Sequence, residues 1–104
     1  MSRRLNFDEK LKQERRLRIL QILHGVGAET SHRIIQTELR AGYTIRVSED
    51  VVKADLAWLV DLGLARSEGL TSDLVVAVLT TQGAEVAEGI VTVPGIRRAV
   101  AWER

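Results

Sequence analysis

Few residues in this 104-residue chain are of types that could do chemistry. His24 and His32 are the only histidines, with Glu29 between them. Together they form a donor set that a divalent metal would accept. A histidine closing one helix and another opening the next accounts for the same residues without a metal, and none is expected. The absence of cysteine excludes disulfides, thiolate zinc sites, iron–sulfur clusters and thiol catalysis. The sequence holds no glycine-rich phosphate loop, no G-x-S-x-G elbow and no H-E-x-x-H pair. The expectation is therefore a protein that is not an enzyme and uses no cofactor. One carboxylate stands out. On a helical wheel Asp55 falls inside an apolar arc, where it must be hydrogen-bonded or paired. Backbone N–H groups or an arginine such as Arg46 are its expected partners.

The remaining chemistry is cationic. Net charge is only +1, yet its distribution is uneven. Residues 1–18 carry seven Lys/Arg against three Asp/Glu, residues 19–93 five against ten, and residues 94–104 three against one. An acidic body thus lies between two basic ends. Such ends can bind backbone phosphate without reading sequence, or simply form a solvated face. Hydrophobic residues make up 45% and charged residues 28%, an ordinary composition for one globular domain. No apolar run approaches the ~20 residues that span a bilayer, and the polar start is unlike a secretory signal. A cytoplasmic protein with no membrane association is expected.

The elements that must position these cations follow from punctuation. Asn6 with Glu9 reads as a capping box, opening a helix from Phe7 to His24 that Gly25 and Gly27 end. Thr30 or Ser31 caps a second helix through Ile34, Ile35, Leu39 and Arg40, with Gly42 as its stop. Thr44–Val47 alternates and suggests a very short strand. Ser48 caps a third helix that ends at Leu62, with Gly63 as left-handed terminator and Leu64 folding back on Leu59. Two strand-like runs, Leu64–Glu68 and Leu74–Thr80, flank Gly69, Ser72 and Asp73 and read as a hairpin. Thr80 or Thr81 caps a short helix through Ala84, Val86 and Ala87 up to Gly89. The predicted fold is mainly α with a small β-hairpin (α+β), a winged helix-turn-helix. The predicted organisation is a basic N-terminal tail over 1–6, a winged-helix domain over 7–93 and a basic C-terminal tail over 94–104.

The helix faces divide the functional readings. On the third helix Val51, Val52, Leu56, Trp58, Leu59 and Leu62 form the core arc, and Trp58 is read as core or interface. The outward arc holds Glu49, Asp50, Lys53, Ala54, Ala57 and Asp61. In a winged helix this face could enter a major groove, yet it sets one lysine against three carboxylates. If double-stranded DNA is bound, the expected contacts are Arg46, Lys53 and Arg66 near the helix and wing, with Arg3, Arg4, Arg97 and Arg98 on phosphate. The competing expectation is a protein-interaction module whose acidic third helix meets a basic protein partner. The first helix carries Leu17, Ile19, Leu20 and Leu23 on more than one side. A helix apolar on two sides is buried on two sides, so a homodimer through these residues and Trp102 is expected. Coverage by the C-terminal segment of the same chain is the alternative.

Several stretches carry a family resemblance. Asn6-Phe7-Asp8-Glu9-Lys10-Leu11, Glu14-Arg15-Arg16-Leu17-Arg18-Ile19-Leu20 and Val52-Lys53-Ala54-Asp55-Leu56-Ala57-Trp58-Leu59 resemble a small group of Mu-like bacteriophage and prophage proteins. So do Gly63-Leu64, Leu79-Thr80-Thr81-Gln82-Gly83 and Val93-Pro94-Gly95-Ile96-Arg97-Arg98. The resemblance implies a winged helix of ArsR type, a phage origin, action in the bacterial host cytoplasm and a dimer built with the first and last helices. It implies no metal sensor, because the cysteine ligands of ArsR-type regulators have no counterpart here. It brings no defined biochemical activity, and for the interaction module it implies phage assembly or host takeover, with a phage or host protein as the partner.

Overall fold

Three hydroxyl groups set the helix starts. Ser31, Ser48 and Thr80 hold extended backbone and accept from the N–H groups of Ile34, Val51 and Gly83, donors that the first helical turn leaves without partners. They open α2 (His32–Tyr43), α3 (Glu49–Asp61) and α4 (Thr81–Ala87) in a computed structural model that describes residues 3–68 and 73–100. Ahead of them run α1 (Arg3–Val26) and β1 (Thr30–Ser31), and between α3 and α4 lie β2 (Ala65–Glu68) and β3 (Val76–Leu79). The end of α3 has the expected form. Gly63 takes φ 74°, its N–H donates to Val60 O at 2.9 Å, and the Leu64 N–H donates to Leu59 O at 3.0 Å.

The three strands form an antiparallel sheet in the order β1-β3-β2. Thr30 pairs with Ala77, and Ala65 with Leu79. A helix pair followed by this hairpin, with a short first strand closing the sheet, is the winged helix. The hairpin turn expected at Gly69 and Ser72 lies outside the described residues, as do Trp102 and Arg104.

Three local expectations are corrected. The first helix starts at Arg3, so Asn6 lies inside it and caps nothing; Arg and Leu are good helix formers and continue the helix through that position. Glu9 instead accepts from Gln13 Nε2 one turn later, at 3.4 Å. Gly42 does not stop α2: the helix continues through Tyr43, and Thr44 takes the left-handed conformation at φ 59°. Thr44–Val47 forms no strand, because the Ile45 N–H turns back to Leu39 O at 2.9 Å and Gln36 Nε2 donates to Val47 O at 2.9 Å.

The core also corrects the dimer surface. Leu17, Ile19, Leu20 and Leu23 are fully buried within one chain, alongside Ile35, Leu39, Val52, Leu56 and Leu59. Each such side chain contributes roughly 1.5–3 kcal/mol by leaving water. At these leucines and Ile19 α1 is covered by its own chain, whereas Phe7 and Leu11 nearer its start are exposed. Part of that cover is the segment after α4, where Ile96 and Ala99 are buried and the Arg97 N–H donates to Gln13 O at 3.3 Å. Arg16 fastens the same segment. Its guanidinium stacks 3.9 Å above the Trp58 ring while Nη1 donates to Gly95 O at 3.0 Å. Gly95 has φ 92°, and a Cβ there would stand 2.9 Å from Trp58 Cζ2. The packed body therefore runs past residue 93, and 94–100 is a strap across α1 and α3.

Candidate nucleic-acid interface

The outward face of α3 is what a winged helix would present to a groove, and its chemistry is acidic and small. Glu49, Asp50, Ala54, Ala57 and Asp61 are exposed and Lys53 is half-buried, whereas Val52, Leu56 and Leu59 point inward. One of these acids is drawn away from the face. Glu49 Oε1 lies 2.8 Å from His32 Nε2 and accepts from Arg33 Nε at 3.2 Å. His32 is fully buried, and its Nδ1 accepts from the Val75 N–H at 3.2 Å. An accepting Nδ1 leaves the proton on Nε2, which donates to Glu49. The hydrogen bond from His32, then that from Arg33, holds the Glu49 carboxyl below the usual range. His32 thus ties the start of α2, the base of the wing and the first turn of α3 together.

The arginines separate into two groups. Arg15, Arg16 and Arg18 of α1 are occupied. Arg15 forms a two-point pair with the buried Asp55, its Nη2 reaching Oδ1 at 3.0 Å. Asp55 is paired as expected, but with Arg15 rather than Arg46. Arg18 donates to Glu14 and to Gln21, both at 2.8 Å, and lies 4.5 Å over the Tyr43 ring. Arg97 also holds Glu14, with Nη2 to Oε1 at 3.2 Å. Partial burial of Glu14 works against its charge, yet the hydrogen bonds from Arg97 and Arg18 prevail and lower its pKa. Arg97, expected on phosphate, is therefore committed to α1. Arg3 and Arg4 belong to the first turn of α1, and Arg98 is exposed.

The second group lines the corner between α2 and α3. A groove of ≈490 Å³ is walled by Gln36, Thr37, Arg40, Ile45, Arg46 and Val47. Arg40 and Arg46 are exposed and make no ion pair among the described residues. Arg66, on β2, is exposed and 3.6 Å from Glu68. The structure thus leaves Arg46, Lys53 and Arg66 on three successive pieces of the winged unit. Arg40, Thr37 and Gln36 join Arg46, and no expectation named them as contacts. Their signal was present: Arg33, Gln36, Thr37 and Arg40 fall at i, i+3, i+4 and i+7, opposite Ile35 and Leu39.

The histidine site does not assemble. His24 Nε2 lies 2.9 Å from Glu88 Oε1, His32 is engaged by Glu49 and Val75, and no group of three potential ligands occurs among the described residues. None of the described helices is long and apolar enough to cross a membrane.

Two solved structures, titled as complex structures of hsRosR-S4 and hsRosR-S1, superpose with a TM-score of 0.60 at 24% identity. They cover 69% of this chain, which spans 61–62% of their length, and at that identity the likeness concerns the fold. No family model matches the chain. A Haemophilus influenzae protein described as "Uncharacterized protein" is 33% identical over 76 residues, 73% of this chain and 74% of that one. A protein of Escherichia phage Mu, "Uncharacterized protein gp26", is 40% identical over 88 residues, covering 85% of this chain and 90% of its own. With the winged fold and this extent of identity, the chain belongs to the family of phage Mu gp26.

Proposed function

We propose that this chain is a non-enzymatic protein of a Mu-like prophage that binds double-stranded DNA through its winged-helix face, is associated with transcription, and acts in the host cytoplasm. One observation carries the reading: Arg46, Lys53 and Arg66 stand on the turn, the third helix and the wing strand, while Arg15, Arg18 and Arg97 are engaged inside the fold. Arg46 and Lys53, kept out of internal pairs, and Arg66, held only at the surface by Glu68, stand on the face that such folds turn toward a duplex and are positioned for phosphate. An ArsR-type likeness fits this reading. So does a homodimer, which would set two faces about one helical turn apart on a duplex. The dimer must use a surface other than the buried leucines. The test is a titration against mixed-sequence duplex at low salt. Salt-sensitive binding is expected, and no binding at tens of micromolar, roughly the non-specific range, overturns the reading.

The acidic outward face of α3, with Asp50, Asp61 and Glu49, favours a second reading as a protein-interaction module that meets a basic partner. Pull-down from infected cells separates the two. Nuclease-sensitive recovery supports DNA, and a stoichiometric protein that survives nuclease supports the module.

A further inference from the structure

We propose that the corner between α2 and α3 is a docking site for phosphodiester phosphates, with Arg40 and Arg46 as its cations. This rests on the DNA reading and adds which surface grips the backbone. The walls of the groove hold two guanidinium groups, an amide and a hydroxyl, and no carboxylate. Guanidinium forks match phosphate oxygens in pairs, which an ammonium does not.

The corner is rigid before any ligand arrives. Thr44 in left-handed conformation sends its N–H to Arg40 O at 3.2 Å, and the Ile45 N–H returns to Leu39 O. Gln36 Nε2 clamps Val47 O, and Ser48 caps α3 immediately after. Arg40 and Arg46 therefore leave a fixed stretch of backbone from its two ends, so little ordering of the main chain opposes binding.

Other cations are worse placed to hold a backbone. Arg33 is engaged by Glu49, Arg66 lies near Glu68, and Lys53 shares α3 with Asp50 and Asp61. Each phosphate neutralised releases condensed counterions, whereas each carboxylate brought near phosphate opposes that gain. The corner supplies the electrostatic hold, and α3 contributes contacts that add little to the salt dependence.

The test measures duplex affinity against salt for wild type, Arg40→Ala/Arg46→Ala and Lys53→Ala/Arg66→Ala. All four positions carry side chains outside the core, and thermal melting checks that the variants fold. The corner variant is expected to lose about 1.8 from the slope of log affinity against log salt, at ~0.9 per phosphate contact. Its affinity should fall about tenfold less between roughly 50 and 200 mM salt. The Lys53/Arg66 variant should lose less than about one unit of slope. A corner variant with the wild-type slope overturns the inference. Amide spectra with inorganic phosphate give a second readout, with shifts expected at Gln36, Thr37 and Val47 that vanish in the corner variant. If wild type ignores duplex but shows these shifts, the DNA reading fails and the anion site stands. If it shows neither, both fail.

Discussion

Removing the Asp55 carboxylate should unfold this protein more readily than any single surface change, and the structure gives the size. Asp55 is 5% exposed, and its carboxylate engages Arg15 at two points across the α1–α3 contact. In Asp55→Ala the Arg15 guanidinium, whose side chain is only 13% exposed, stays buried without its counterion. Stranding one member of a buried pair costs about 3–5 kcal/mol. A chain of this length has about 5–15 kcal/mol of total stability, so the loss is a large fraction. At about 4–8 °C per kcal/mol, the melting temperature should fall by at least about 12 °C. Arg15→Met/Asp55→Leu removes both charges and fills the space with apolar atoms. It should stay within about 1 kcal/mol of wild type or exceed it, because both ions' desolvation disappears with their attraction. Urea unfolding followed by circular dichroism measures all three proteins. If Asp55→Ala costs under about 1 kcal/mol, or the double variant is as damaged as the single one, a desolvated pair is the wrong description.

Two further outcomes follow from the strap and from Glu14. Gly95→Ala places a methyl against Trp58 and forces a β-carbon into φ 92°, which alone costs about 1–2 kcal/mol. Its unfolding midpoint should drop by more than that backbone cost, and an unchanged midpoint would show that the strap yields freely. Glu14 has a folded-state pKa below its unfolded value, so its contribution is present above the ordinary value of 4.5 and is lost as pH falls through the folded value. Glu14→Gln should therefore be less stable than wild type at neutral pH, with the gap closing on acidification below that value. A gap of constant size from pH 7 to 3 would contradict the pairing with Arg97 and Arg18.

What the sequence made legible was local. A hydroxyl before a helix, a glycine after one, and a turn between apolar runs each act within a few residues. Ser31, Ser48, Thr80 and Gly63 consequently do what their neighbours in sequence dictate. Where two local rules compete, the reading fails. Asn6 can cap, but Arg3, Arg4 and Leu5 prefer to continue the helix. Thr44–Val47 alternates like a strand, but hydrogen bonds to Leu39 and Gln36 fold it into a corner. β1 has two residues, too few for any periodicity, and exists because Thr30 and Ser31 lie beside β3. The strap has no periodicity either. Its path depends on Arg16, Trp58 and Gln13, which lie some 37 to 84 positions away in sequence.

The same distinction governs the functional reading. Counted along the chain, the basic residues concentrate near the two ends, and the ends look like the place to hold an anion. In the fold several of those cations are spent internally: Arg15 on Asp55, Arg16 on Trp58 and Gly95, Arg18 and Arg97 on Glu14. A guanidinium engaged by a carboxylate or a ring presents less field to a distant phosphate than one facing water. Arg40 and Arg46, in the acidic middle of the sequence, line one groove without an ion pair among the described residues, and under the proposed reading theirs are the charges a phosphate meets. Net charge by segment therefore says little about which cations the fold leaves facing water. The α2 stripe that contains Arg40 was visible as helical periodicity, but that Arg33 at its start is taken by Glu49, beside the buried His32, is a contact across 16 and 17 positions that only the folded chain creates.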